Sequence, residues 1–484
     1  MLLKTVIALE FFASSVFATP ALRHRFKRQS DSDVDSFITS EGIIAYKGVL
    51  SNIGSAGAGA SGASAGIVLH PRLRPIRIVS LFLRVLRHGE ISYHHFYTWT
   101  RDSALTFTGL IERFIAGDTT LEPTMQAYIT AQATLQSVSN PSGDLSNGLG
   151  LGLAEPKFNV DMSPFTEAWG RPQRDGACSA RIGSYHLWQL PDRPGQEGTS
   201  SVEHLANSQH KSLVQGAAFA TAVGESCENC VSQAPQILCF LQSFWNGEAV
   251  VSNLGTSGRT GLDANSLLAN ILTFDPAASC DDATFQPCSS RALSNHKKVV
   301  DSFRSVYGIN SANAAGPAAA IGRYSEDVYQ GGNPWYLCTL AAAELLYDAL
   351  YQWDTKGTLA IDEISLPFFK DLDSTAAVGS YSANSTEYTS LRAAVKKYAD
   401  GFVSIVQKYT PADGSLAEQF GRDDGAPLSA VDLTWSYASF LTASDRRSGA
   451  VPPSWGESTG NQVPTTCSGD SATGTYATPS AIAW

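Results

Sequence analysis

Leu337-Cys338-Thr339-Leu340-Ala341-Ala342-Ala343-Glu344-Leu345-Leu346-Tyr347-Asp348-Ala349-Leu350-Tyr351-Gln352-Trp353 decides the fold class. The run is rich in Ala and Leu, the strongest helix formers, and no Gly or Pro breaks it. It predicts one uninterrupted helix. Working outward, Leu105, Leu110, Ile111 and Phe114 fall at helical spacings behind Asp102-Ser103, which predicts a helix over 104–114. Residues 121–138 read as a further helix. Asp263 is placed to cap another over 266–272. Residues 388–409 form a long helical pattern interrupted only by Gly401. Period-two alternation is scarce, so few strands are expected. Gly- and Pro-rich loops between the helices carry Trp, Tyr, Arg and Asp. The expectation is one large all-α domain whose loops hold the site.

Composition limits the function. The chain has 484 residues, 43% apolar and 16% charged, which supports a full core and excludes a disordered chain. Its net charge of −11 leaves no basic excess to neutralise phosphates, which argues against a nucleic-acid partner. Aromatic residues reach 10%, with nine Trp, which suits stacking on the flat faces of sugars.

Residues 1–18 read as a secretory signal: Lys4, a mostly apolar stretch over 5–17, and Val16-Phe17-Ala18 at the cut. Glu10 interrupts the apolar stretch, and a short buried helix is the alternative. Residues 19–28 read as a pro-segment closed by Lys27-Arg28, so the mature chain would begin at Gln29. No later stretch has the apolar length of a membrane span, about 18 residues. The reading is a secreted protein. Eight cysteines fit an oxidising compartment. Cys227 with Cys230, and Cys280 with Cys288, favour local disulfides over zinc, since no His pair stands close to either couple. Asn384-Ser385-Thr386 is a glycosylation sequon.

Candidate site residues cluster in five loops. Trp99-Thr100-Arg101-Asp102 stands at a helix start. Trp169-Gly170-Arg171-Pro172-Gln173-Arg174-Asp175-Gly176 is polar and led by a Trp. Arg323-Tyr324-Ser325-Glu326-Asp327-Val328-Tyr329 precedes Gly332-Asn333-Pro334-Trp335. Glu418-Gln419 follows Asp413-Gly414-Ser415, and Trp435 comes later. Arg and Asp grip hydroxyls through charge-assisted hydrogen bonds, and indole and phenol rings stack on pyranoses. Each residue also has a plainer reading: Asp102 as a helix cap paired with Arg101, Trp335 as core. Together they point to glycoside cleavage. There one carboxylic acid protonates the leaving oxygen while a second carboxylate activates water or attacks the sugar.

These motifs carry a resemblance to the fungal glucoamylases of glycoside hydrolase family 15. It runs from about Asp35 to Cys467. It rests on Phe96-Tyr97-Thr98-Trp99-Thr100-Arg101-Asp102, Asn140-Pro141-Ser142-Gly143-Asp144-Leu145, Glu155-Pro156-Lys157-Phe158-Asn159-Val160 and the Trp169 loop. It rests also on Phe285-Gln286-Pro287-Cys288, Gly332-Asn333-Pro334-Trp335 and Asp432-Leu433-Thr434-Trp435-Ser436-Tyr437. The resemblance implies an (α/α)6 barrel, a six-hairpin toroid, over a catalytic domain at 29–467. It implies exo-acting release of glucose from non-reducing ends, with inversion and with no metal or organic cofactor. Glu418 resembles the family's general base. Arg101, Asp102, Arg323 and Asp327 resemble the clamp on the terminal sugar. Trp99, Tyr329, Trp335 and Trp435 would wall the pocket, and Trp169 would pack beside the acid. The resemblance also implies disulfides Cys227–Cys230, Cys280–Cys288 and Cys239–Cys467, with Cys338 a buried free thiol and Cys178 unmatched. Expected ligands are starch, maltodextrins and maltose, with no nucleic acid and no membrane, and a monomer. The tail at 468–484 is Ser/Thr-rich and carries no starch-binding module.

Two segments depart from the pattern. The family's acid is the first Glu of a Trp-Glu-Glu motif, and none occurs here. Residues 177–208 are too short for more than one helix pair, so the barrel is expected to be incomplete there. Gln196 falls at the acid position by ungapped count, beside Glu197; Glu203 is a second loose carboxylate. Residues 67–90 carry Arg72, Arg74, Arg77, Arg84 and Arg87 among apolar residues, as in an amphipathic surface helix or a membrane-surface segment. His95 stands where the family has a stacking Tyr. Residues 54–66 keep the family's glycine rhythm but lose polar and aromatic members. Two explanations stand. One is a flawed gene model, with intron sequence at 67–94 and a misplaced splice in 177–208. The other is a real chain without its acid, which would be a sugar-binding pseudoenzyme or a poor folder. A trehalase-like helical barrel is the weaker enzymatic alternative.

Overall fold

The computed structural model describes residues 32–70, 97–143, 152, 155–167, 202–252, 254, 258–311 and 317–467. The run quoted above lies in α8 (Tyr336–Lys356), and most of its side chains are buried. The helix stops at Gly357, which adopts φ 68° and donates its N–H to Trp353 O, a left-handed ending that a side chain would strain. Around α8 stand α1 (Ser32–Ser51), α2 (Thr100–Ile115), α3 (Glu122–Ser137), α4 (Val202–Ala222), α5 (Glu228–Leu241), α6 (Ala264–Leu272) and α7 (Ser290–Ser302). Past α8 follow α9 (Leu366–Leu372), α10 (Thr386–Tyr409), α11 (Thr434–Ser448) and the short α12 (Glu457–Gly460).

The helices alternate between two layers. α2, α11, α8, α6 and α4 pack side by side in that order as an inner ring. α3 backs α2, α1 backs α11, α10 backs α8, α7 backs α6 and α5 backs α4. Trp353, Phe402, Phe440 and Phe420 are fully buried in the two largest apolar clusters. Each such ring contributes roughly 1.5–3 kcal/mol by leaving water. A buried ion network crosses the ring: Arg446 of α11 pairs with Glu112 of α2 at 2.5 Å and with Asp348 of α8 at 3.3 Å.

Among the described residues, sheet is confined to three antiparallel pairs: β1 (Tyr97–Trp99) with β2 (Lys157–Asn159), β3 (Thr358–Ile361) with β4 (Gly379–Ser382), and β5 (Gln419–Phe420) with β6 (Pro427–Leu428). The expected scarcity of strands holds. Helix boundaries move by a few residues. α2 begins at Thr100 rather than 104, because Trp99 leaves β1 directly into the first turn. α6 begins at Ala264, with Asp263 accepting the N–H of Asn265 as its cap. Residues 67–70 are extended, and Ile67, Val68 and Leu69 are buried, so this segment does not open as an amphipathic helix. Its backbone pairs Val68 with Ile53 and His70 with Tyr97. The arginines from Arg72 to Arg87 lie outside the described residues.

Disulfides join Cys227–Cys230, Cys239–Cys467 and Cys280–Cys288, and Cys338 is a buried free thiol. Cys178 lies outside the described residues. Residues 450–467 wrap the ring as a strap. Asp275 Oδ2 accepts the N–H groups of Trp455, Gly456 and Glu457 at 3.0–3.1 Å, and the Cys239–Cys467 bond ties the strap to α5.

His296 of α7 is fully buried, with its Nε2 3.0 Å from Ala342 O and its ring edge-on to Phe368, Tyr398 and Phe402. Burial drives its pKa down to about 4. A solvated His titrates near about 6.5, so the unfolded chain binds the extra proton first. Its contribution to stability is complete above pH 6.5 and is lost as pH falls toward 4, roughly 2–3 kcal/mol by pH 4.5. The buried carboxyls of Glu41, raised to about 8, and Glu344, raised to about 7, act in the opposite sense and favour the fold below pH 4.5. His296→Gln keeps a donor for Ala342 O but cannot take a proton. Thermal unfolding at pH 7 and pH 4.5 is expected to show a smaller acid loss in this variant; an equal loss would remove His296 from the account.

Candidate active site

β1 carries the first part of the site. β2 pairs with it on one side, and on the other the His70 N–H donates to Tyr97 O at 3.0 Å. The strand delivers Trp99 as the N-cap residue of α2, so Arg101 and Asp102 stand within the first helical turn. Asp102 is therefore not the helix cap that its position before residue 104 allowed. It gains from the helix dipole instead. Its buried Oδ1 accepts from Arg101 Nε at 3.1 Å, and its Oδ2 lies 3.6 Å from His70 Nδ1. Burial alone would raise the Asp102 pKa. The Arg101 charge and the His70 imidazole outweigh it and hold the carboxyl below the ordinary value. Arg101 in turn spreads its guanidinium 5.1 Å above the Trp435 ring. Behind the strand, the Lys157 ammonium sits among Tyr97, Trp99 and Phe165, at 4.2, 5.3 and 3.8 Å from the ring centres.

The second part is the loop that closes where Trp335 N–H meets Ile321 O at 3.0 Å. Arg323 donates Nε and Nη2 to the two oxygens of Asp327 at 2.8 and 2.7 Å, a forked pair that fixes both planes. Asp327 also accepts the Tyr329 N–H at 2.9 Å. The return past it needs Gly332 (φ 68°), where a Cβ would stand 2.0 Å from Asp327 O. Tyr329 and Trp335 face each other at 6.3 Å, with the Arg323 guanidinium 4.9 and 5.2 Å from their rings. Trp335 is thus both core, at 8% exposure, and wall. Asp263 supports the loop from behind: Ala264 N–H donates to Arg323 O at 2.7 Å, and burial raises the Asp263 pKa to about 6.

Glu418 forms the third part. Its N–H donates to Ala430 O at 2.8 Å, and Gln419 beside it bridges to Trp335. The carboxylate is buried to 5% exposure. Ser429 Oγ and Gln419 Nε2 both donate to Oε2. Among the described residues no protein donor meets Oε1, which leaves that oxygen to a water or a ligand. Ser429 holds φ 65°, an unfavourable region for a non-glycine residue that costs about 1–3 kcal/mol. Tyr329 stands near this carboxylate: burial first, and then the Glu418 charge, push its phenol pKa up. The first turn of α11 joins the parts, since Trp435 lies under Arg101 while Ser436 Oγ donates to Ala417 O at 2.8 Å.

The structure thus gathers Trp99, Arg101, Asp102 and Trp435 in one contact set, and Arg323, Asp327, Tyr329, Trp335 and Glu418 in the adjoining one. Trp169, His95, Gln196 and Glu197 lie outside the described residues. Glu203 falls in the first turn of α4, where only the backbone is described. Sequence reading missed His70 and Ser429. Neither belongs to a motif; His70 meets Asp102 through the pairing of its segment with β1, and Ser429 meets Glu418 across the β5–β6 hairpin. Among the described residues no group of His, Cys, Asp and Glu is arranged to hold a metal, and no helix is long and apolar enough to cross a membrane.

Comparison with known proteins gives the family and the fold. The family described as glycosyl hydrolases family 15 matches residues 44–188 and 185–445, two stretches that meet within 177–208. A glucoamylase of Neurospora crassa is 48% identical over 520 aligned positions, covering 100% of this chain and 80% of its own length. The structure of a family 15 glucoamylase from Hypocrea jecorina superposes with a TM-score of 0.82 at 47% identity, covering 93% of this chain and 78% of that one. A glucoamylase from Hormoconis resinae gives 0.82 at 45% identity, covering 91% and 78%. The two-layered ring is accordingly an (α/α)6 barrel. On the family match and these identities, the chain belongs to the glycosyl hydrolases of family 15.

Proposed function

We propose that this chain is a secreted, exo-acting glucoamylase that releases glucose from the non-reducing ends of starch, maltodextrins and maltose with inversion. The observation that carries the reading is Glu418. It is a buried carboxylate with one oxygen fixed by Ser429 and Gln419 and no donor on the other among the described residues, with Tyr329 nearby, in a chain whose loops also present two Arg–Asp pairs. Glu418 would take the proton of a water that attacks the anomeric carbon from the face opposite the leaving oxygen. Asp102, Arg101, Arg323 and Asp327 would hold the hydroxyls of the terminal glucose. Trp99, Trp169, Tyr329, Trp335 and Trp435 would stack on its faces. The new bond would form as the glycosidic bond breaks, the leaving oxygen would take up a proton from solvent in the absence of a Trp-Glu-Glu acid, and the product would be β-glucose. Proton NMR of maltose digests reads the anomer directly. Initial α-glucose would sink the inverting role of Glu418.

Export is supported by the residue 1–18 signal pattern, the three disulfides and the exposed Asn384 sequon in the turn before α10. A monomer is the simplest state for a site built within one ring.

A second reading, a sugar-binding protein of impaired catalysis, is favoured by one observation: no Trp-Glu-Glu occurs in 177–208. Acid assistance is typically worth about 10²–10⁴-fold in rate. Full-length cDNA across codons 60–100 and 175–210, followed by glucose release from soluble starch, separates the two. A message that restores the motif, or a brisk release by this chain, supports the hydrolase. An unchanged message with sugar affinity and no release supports the binder.

A further inference from the structure

We infer that His70 is a positioning residue of the sugar clamp, holding the Oδ2 side of Asp102 while Arg101 holds the Oδ1 side. The inference rests on the sugar-binding reading of the Asp102 site.

The placement of His70 is fixed from several directions. Its N–H is bonded to Tyr97 O in the strand that carries Trp99. Leu69, one residue before, donates to Asn52 O at 2.9 Å and accepts from Thr434 Oγ1 at 2.5 Å, next to Trp435. The imidazole tilts against Trp99, with centres 6.1 Å apart. Its Nδ1 is buried, has no hydrogen-bond partner among the described residues and lies 3.6 Å from Asp102 Oδ2. That gap is a few tenths of an ångström beyond a hydrogen bond. Bonds of this kind are often long in an empty site and tighten when ligand is bound. The charged groups around the ring are Asp102 and Arg101 of α2, and Lys157 of β2, whose ammonium lies across Trp99. With Arg101 alone, the carboxylate is free to turn about its last bond. A donor on each oxygen fixes its plane, and with it the direction in which a sugar hydroxyl must approach.

The test compares His70→Asn with His70→Leu. The Asn amide nitrogen lies as many bonds from Cα as His Nδ1 does and can replace it as a donor, whereas Leu keeps only the packing against Trp99. Calorimetry with 1-deoxynojirimycin, a glucose-shaped cation, is expected to show His70→Leu weaker by about tenfold and His70→Asn close to the parent, with equal melting temperatures. Parent-like binding by the Leu variant, or equal losses in both, would overturn the inference. A second measurement does not depend on sugar. In ¹⁵N-histidine spectra, with the His70 signal assigned by its loss in His70→Asn, Asp102→Asn is expected to move the Nδ1 resonance. An unmoved signal overturns the pairing. If the parent chain binds no 1-deoxynojirimycin, the sugar-site reading fails, and the spectra still decide the His70–Asp102 contact.

Discussion

Glu418→Gln is expected to remove hydrolysis while sugar affinity survives. The substitution keeps the side-chain volume, and the amide oxygen can still accept from Ser429 Oγ. What it removes is a base for the attacking water. Loss of a positioned base typically costs about 10²–10⁴-fold in rate. The carboxylate is buried and held on one oxygen by Ser429 and Gln419, so its replacement leaves no unpaired charge behind. The fold should therefore be preserved. Glucose release from maltose and calorimetry with 1-deoxynojirimycin, run on the same preparation, check both halves. Turnover close to that of the parent chain would take Glu418 out of the base role.

Asp102→Ala is expected to act on binding. A charge-assisted hydrogen bond to a sugar hydroxyl is worth about 1.5–3 kcal/mol, so affinity should fall by roughly 10–100-fold. The variant also strips Arg101 of its counter-charge and His70 of the carboxylate beside it. Removing one partner of the buried Arg101–Asp102 pair costs up to about 3–5 kcal/mol in stability, so affinity is read on protein whose folding has been checked by its unfolding midpoint. The two effects are therefore separable. If Asp102 grips sugar, the folded variant loses affinity by that factor; an affinity within about twofold of the parent would reduce Asp102 to a partner of Arg101 and the helix dipole.

Much of the fold is local and was legible. Ala- and Leu-rich periodicity announces α8, and Asp263 announces the start of α6, because both effects act within one or two turns of chain. The motifs led to the family, and through it to (α/α)6 geometry and the disulfide pairs. Helix starts were less legible. Thr100 to Ser103 look like a polar loop, and β1 pairing with β2 decides that the helix begins there.

The sequence by itself determined that this is an all-helical chain with its chemistry in the loops, and which Arg, Asp, Glu and Trp side chains those loops offer. Helix periodicity and residue chemistry are properties of short segments. Only the tertiary structure decided which of them meet. His70 reaches Asp102 because Thr434 and Asn52 pin the strand before it; Ser429 reaches Glu418 because β5 and β6 fold into a hairpin; Arg446 reaches Glu112 and Asp348 because three inner helices converge. The first and last of these contacts join positions far apart in sequence, and the second spans a hairpin. They form only once the apolar faces of the helices have buried one another and fixed where each loop ends.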